Sequence, residues 1–205
     1  MREAEDVQHF IRIFNRAYKE GLRVYGPSVE NDLLLVRWYE DLRASGDLEK
    51  TFTPATQCLS VFLNLFSFPS HLLYQQTESG VESDVDTRNT PRVIRAFWLV
   101  PASPGVAYCG VWLMEGVRFS PRSLSFLQAC YSFGFTKRNV LLGKTKQMDL
   151  LPIHEKLGYT VVGKLALGWD GVKEDAWIVE LTRESFETSI LNPYRGAKME
   201  VSDGR

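Results

Sequence analysis

The segment from Met148 to Gly163 constrains the fold of this chain more than any other stretch. Leu150, Leu151, Ile153, His154 and Leu157 recur near helical spacing, and Gly158 suits the left-handed position that ends a helix. Tyr159-Thr-Val-Val then has the aromatic and β-branched composition of a strand. A helix, a glycine stop and a strand whose first residues stay near that helix end make this segment the first place to look for function.

The 205 residues, 44% of them apolar, suit one large domain with a real core rather than a disordered chain. A net charge of −1 and a pI of about 6.3 supply no global basic field, so nucleic acid and anionic membranes are not expected partners. No stretch approaches the roughly 18 uncharged apolar residues of a membrane-spanning helix. The acidic start Met-Arg-Glu-Ala-Glu-Asp does not suit a signal or transit peptide, so a cytoplasmic location is expected. Cys58, Cys109 and Cys130 are widely spaced in apolar runs with no histidine at zinc-site spacing, which predicts small buried hydrophobes and no metal.

Residues 6–20 place Val7, Phe10, Ile11, Phe14, Ala17 and Tyr18 on one helical face. After a Gly-Pro break at 26–27, a second helix spans about 29–44, carries Leu33, Leu34, Val36, Trp38, Tyr39 and Leu42, and stops near Ser45-Gly46. Residues 54–66 favour a short helix behind a Thr53 cap, with a buried strand the alternative. His71 to Gln76 has strand character, and the polar run Thr77 to Pro91 is the best candidate for a mobile loop. Strands at 92–100 and 107–114 flank a Pro-Ala-Ser-Pro-Gly turn. A helix from Ser120 to about Phe133 is stopped by Gly134, and a short strand follows from Asn139 to Gly143. The 147–157 helix, strands at 159–167 and 175–181 and the turn at Trp169 complete the pattern. The order predicts an α/β (α+β) fold: one domain over 1–187, with a helical part at 1–68, a core at 92–183 and a mixed central sheet carrying two N-terminal helices and two packed helices. Residues 188–205 form a flexible polar tail in this reading.

This element order resembles the GCN5-related N-acetyltransferase fold, and Ile153-His-Glu-Lys-Leu-Gly-Tyr-Thr-Val-Val-Gly-Lys is similar to that family's end-of-helix signature, usually Tyr-Glu-Lys-Leu-Gly-Phe. The resemblance covers about 107–183; the first hundred residues share only two helices before the sheet. It implies a fourth strand splayed from the fifth, with the pantetheine of an acyl-coenzyme A in the gap. The splayed strand would be Val111 to Val117, with Leu113, Met114 and Val117 against the donor. The pyrophosphate loop would be Phe119 to Leu124, with Arg118, Ser120, Arg122, Ser123 and Leu124 as binding residues. The family's Arg/Gln-x-x-Gly-x-Gly/Ala run is absent there, since no glycine occurs between Gly116 and Gly134. A helix N-terminus with free N–H groups, two arginines and two serine hydroxyls still offers anion-binding chemistry.

His154 stands where the family places a tyrosine that protonates the leaving thiolate, and an imidazole is a suitable acid near neutrality. The bland alternative is a partly exposed helix histidine. Glu115, the acidic residue of Gly110-Val-Trp-Leu-Met-Glu-Gly, is the candidate base for the amine, with a solvent-facing rim carboxylate as its alternative. Structural roles are favoured for His9 and His71, and core roles for all tryptophans, with Trp169 beside Asp170-Gly171 the exception to consider. No Walker loop, zinc signature, nucleophile elbow or dinucleotide fingerprint is present.

The resemblance implies an acyltransferase moving an acyl group from acetyl-coenzyme A, another acyl-coenzyme A or an acyl carrier protein to an amine acceptor. Two alternatives stay open. One is a catalytically silent module that binds a protein partner through the helical half and the 77–91 loop. The other is a phage-type nucleic-acid-modifying enzyme, disfavoured by the charge balance.

Overall fold

The computed structural model of the chain describes residues 2–26, 28–67, 69–77, 91–114, 120–146, 151–171 and 173–191. In chain order these form α1 (Arg2–Lys19), β1 (Arg23–Val24), α2 (Val29–Ser45), α3 (Asp47–Thr51), α4 (Leu59–Leu65), β2 (His71–Gln76), β3 (Val93–Ser103) and β4 (Val106–Leu113). Then come α5 (Pro121–Phe135), β5 (Val140–Thr145), α6 (Leu151–Lys156), β6 (Thr160–Leu165), β7 (Ala176–Thr182) and α7 (Arg183–Phe186). The strands form one sheet in the order β1-β2-β3-β4-β5-β7-β6, antiparallel throughout except between β4 and β5. This is the mixed α/β sheet that the pattern predicts.

Strand alternation divides the core in two. Phe97, Leu99, Ala107, Leu141, Val179 and Leu181 face α1, α5 and α7 on one side. Leu72, Tyr74, Ala96, Trp98 and Trp112 face α2, α3 and α4 on the other. The second cluster centres on Trp38, whose ring meets Phe52, Phe62, Phe66, Trp98 and Trp112. Fully burying side chains of this size contributes about 1.5–3 kcal/mol each, so this cluster fixes the helical half firmly on β2–β4.

Helix boundaries follow their caps. Ser28 accepts from the Asn31 N–H at the start of α2, and Gly46, at φ 72°, ends it. Within α2 the buried positions are Leu35, Trp38 and Leu42, while Leu33 is exposed, so the apolar stripe lies two residues from where Leu33 would put it. On α1, Phe10 and Ala17 are buried with Ile13 and Phe14 beside them; Ile11 and Tyr18 face outward. The expected 54–66 helix is two pieces, a 3₁₀ turn at Pro54–Thr56 and then α4, with Cys58 between them exposed rather than buried.

β3 extends through Ser103, so the turn to β4 is confined to Pro104-Gly105 rather than starting at Pro101. Gly134 does not stop α5. The helix runs through it to Phe135, because a β-carbon there would stand 3.1 Å from Leu141 Cδ1, and glycine lets α5 lie close on β5. Gly158, at φ 87°, does end its helix as its position predicts: the N–H groups of Leu157 and Tyr159 both bond the His154 carbonyl. After α7 a π-helical turn continues through Glu187–Leu191. The 78–90 loop and residues 192–205 lie outside the described residues. Among the described residues no helix is long and apolar enough to cross a membrane.

Candidate active site

The parallel ladder between β4 and β5 lasts three residues. Val106, Ala107 and Tyr108 pair with Val140, Leu141 and Leu142, and the β4–β5 ladder stops there although β4 continues to Leu113 and β5 to Thr145. On its far side β4 stays paired with β3 through Leu113, and β5 stays paired with β7 through Thr145. Each strand is therefore held from behind while the two part from one another. The result is a wedge-shaped gap with Cys109–Leu113 on one bank and Gly143–Thr145 on the other.

A buried hydroxyl cluster closes the apex of the wedge on the α5 side. Tyr159 Oη donates to Tyr131 Oη at 2.7 Å, and Cys109 Sγ lies 3.6 Å from Tyr159 Oη. Burial pushes the Cys109 thiol up to about 11 and raises both phenols well above their ordinary value. None of the three is ionised near neutrality, so they form a neutral floor rather than a nucleophile. His154, half-buried on α6, sets its ring edge-on to Tyr159 with centroids 5.4 Å apart at 87°. The glycine stop therefore brings the imidazole to the ring that floors the gap.

At the start of α5, Ser120 caps the helix by accepting from the Ser123 N–H, and Pro121 occupies the first turn. Arg95 of β3 reaches this helix end from beneath. Its guanidinium donates to Ser123 Oγ at 2.9 Å, Ser120 Oγ at 3.2 Å and Gln75 Oε1 at 2.9 Å. Arg95 is 4% exposed and all three acceptors are neutral; no carboxylate pairs with it among the described residues. Burial and the nearby Arg122 charge both lower its pKa. A buried charge is normally paired, so the arrangement suits an anion at the α5 N-terminus.

The residues singled out in the sequence fall into three groups. Ser120, Arg122, Ser123 and Leu124 gather at the α5 start, where Ser123 is buried against Arg95 while Arg122 and Leu124 are exposed. Leu113 and Met114 end the β4 bank on opposite sheet faces, Leu113 with the α1–α5 core and Met114 with the α2–α4 core. Glu115, Val117 and Arg118 lie outside the described residues. His9 is exposed on α1. His71 is half-buried edge-on to Phe133, and its pKa is lowered by burial and by Arg138 and Lys137. Sequence reasoning missed Arg95 and Gln75; the available signal was a lone charge in the apolar strand Val93 to Val100. Trp169, the tryptophan held open as an exception, is 5% exposed.

No protein-family profile matches the sequence, and no curated protein matches it. Solved structures match over most of the chain. Spermidine N-acetyltransferase from Vibrio cholerae, in complex with CoA and spermine, superposes with a TM-score of 0.56 at 10% identity, covering 84% of this chain and 99% of that one. Mycobacterium smegmatis RimJ, in complex with CoA-disulfide, gives 0.53 at 11% identity over 84% and 87%. Aminoglycoside 6'-acetyltransferase type Ii gives 0.53 at 15% identity over 78% and 96%. The chain has the fold of the GCN5-related N-acetyltransferases.

Proposed function

We propose that this protein transfers an acyl group from a coenzyme A thioester to an amine. The observation that carries the reading is the parting of β4 from β5 after Tyr108 and Leu142, directly beside the capped start of α5 and its buried Arg95. A pantetheine arm needs a narrow slot with backbone groups along one wall, and the Cys109–Leu113 bank provides it. A diphosphate needs N–H groups and positive charge. In this reading the α5 N-terminus with Arg122 supplies them, Arg118 is assigned the same task from the sequence alone, and Arg95 beneath takes over from the missing glycine run. Leu113, Met114, Val117 and Leu124 supply apolar contact. Ser120 and Ser123 tie Arg95 to the helix end.

In the reaction, the amine nitrogen attacks the thioester carbonyl, the new C–N bond forms and the C–S bond breaks. The surplus amine proton goes to Glu115, and the departing thiolate takes a proton from His154. The placement of His154 on the ring that floors the gap supports its role. Coenzyme A complexes of structures that share this fold favour coenzyme A over an acyl carrier protein as donor.

A thermal-shift screen against coenzyme A, acetyl-coenzyme A, a long-chain acyl-coenzyme A and an acyl carrier protein tests the reading. A donor at about 100 times its Kd adds roughly 2.7 kcal/mol to stability. No shift with any donor would overturn the proposal and leave the silent partner-binding module.

A further inference from the structure

We infer that a free α-amino acid binds as an effector at the corner between α2 and α3, and that its presence is felt in the donor slot through Asp47 and Trp112. The corner holds a cavity of about 300 Å³, lined by Tyr39, Arg43, Gly46, Leu48, Glu49 and Gln57. That is the lower end of the range for small-molecule sites, about 300–1,000 Å³. None of the six residues belongs to β4, β5, α5 or α6, so the cavity is separate from the wedge. Gly46, at φ 72°, ends α2 and opens α3, and the chain turns sharply there. Arg43 lies in the last turn of α2 and Glu49 in the first turn of α3, so a cation and a carboxylate flank one corner. The opposite wall is pinned. Tyr39 Oη donates to the Gln57 carbonyl at 2.6 Å, and Gln57 Nε2 donates to the Phe52 carbonyl at 2.9 Å. Leu48, 5% exposed, adds an apolar surface.

Arg43 and Glu49 are both exposed, and neither side chain has a hydrogen bond or ion pair among the described residues. The adjacent charges of Asp47 and Lys50 are paired with each other. The lining therefore offers one cation and one carboxylate, with no net charge between them. A plain amine or a plain anion gains one partner and meets one like charge, whereas a zwitterion gains both partners. An α-amino acid bridges the two charges and leaves its side chain for Leu48 and the Tyr39 ring. Asp47, in the chain between Gly46 and Leu48, is 8% exposed and accepts from Trp112 Nε1 at 3.2 Å. Trp112 belongs to the Cys109–Leu113 bank of the wedge. A ligand that fixes Gly46, Leu48 and Glu49 therefore also fixes the carboxylate that holds Trp112. Asp47 and Leu48 are both buried, so the cavity is closed toward β4, and the amino acid acts there as an effector rather than as the acceptor.

Titration calorimetry on the full chain without donor tests the site with three matched probes: L-leucine, 3-methylbutylamine, which lacks the carboxylate, and 4-methylpentanoate, which lacks the ammonium. Wild type should bind leucine about tenfold or more tighter than either. Arg43→Gln should erase the advantage over the amine, and Glu49→Gln the advantage over the acid; both side chains are exposed, so the fold is not at stake. No binding of leucine, equal binding of all three, or ratios unmoved by the two variants overturns the site. Saturating leucine should change the Kd of coenzyme A by about fivefold or more, and coenzyme A should change that of leucine by the same factor. Trp112→Phe, which keeps a ring and removes the N–H, should bring the factor towards one. A factor of one in wild type, or the same factor in Trp112→Phe, overturns the effector role. The leucine titration needs no donor, so the site stands or falls apart from the acyl-transfer reading. Leucine bound by a protein that binds no coenzyme A supports the site and sinks both that reading and the effector role.

Discussion

Replacing Arg95 by methionine separates the charge of the donor site from its shape. Methionine fills much of the same volume, so the core of β3 keeps its packing. The guanidinium sits 3.2 Å from Ser120 Oγ, the capping atom of α5, and an anion on the helix N–H groups stands one further contact, about 3 Å, beyond it. At a separation of about 6 Å and an effective dielectric of about 20, one unit charge interacts by 332/(20 × 6), or about 2.8 kcal/mol. That is about a hundredfold in affinity. At a coenzyme A concentration of about 100 Kd for wild type, stabilisation would fall from about 2.7 kcal/mol to RT ln 2, about 0.4 kcal/mol. At 205 residues this contrast is a melting shift of about 5–10 °C collapsing to about 1 °C. Pantetheine, which lacks the diphosphate, serves as the control, and its binding should be indifferent to the change. A folded Arg95→Met protein that keeps the full coenzyme A shift would refute the reasoning, as would an equal loss with pantetheine.

His154→Phe should lower kcat by about a hundredfold or more with little change in the KM of the donor. Turnover surviving with an unchanged pH profile would exclude His154 as the proton donor. Gly110→Ala should cost about 1–3 kcal/mol in a denaturant titration, because the added methyl meets the Trp98 ring, and Trp98→Phe in the same chain should restore part of the loss. His71 tests pH linkage. Burial holds its folded pKa below the unfolded value of about 6.5, so the unfolded chain takes up the proton first, and stability should fall as pH drops from 7 to 5. His71→Phe should flatten that slope, measured as the change in denaturation midpoint between the two pH values; parallel slopes would rule the linkage out.

The elements were legible where one physical rule governs the residue. Gly158 must hold a positive φ, Ser120-Pro121 can only begin a helix well, and α2 runs between a serine cap and a glycine. Legibility failed where a second element decides. Gly134 carries the composition of a helix stop, but its role is set by Leu141 across the α5–β5 contact. Leu33 is apolar like Leu35, but only Leu35 stands at i, i+3, i+7 spacing with Trp38 and Leu42 on the face that meets the Trp38 cluster. The site behaves the same way. The neighbourhood of His154 and Tyr159 could be read from the Met148–Gly163 segment, because helix, stop and strand are contiguous. Arg95 escaped, because its partners Gln75, Ser120 and Ser123 are 20, 25 and 28 residues away and nothing local announces a cation that β2 and α5 jointly solvate.

The gap owes its shape to an imbalance between the two halves of the sheet. β4 belongs to both cores: Ala107 is buried on the α5 side, with Cys109, Val111 and Leu113 packed beside it, and Trp112 is buried on the α2–α4 side. On the face of β5 and β6 away from α5, Lys144, Val162 and Leu165 are exposed among the described residues. A strand clamped from both faces cannot bend toward its neighbour, and its neighbour is anchored to β7, so three parallel pairs form and the rest are forgone.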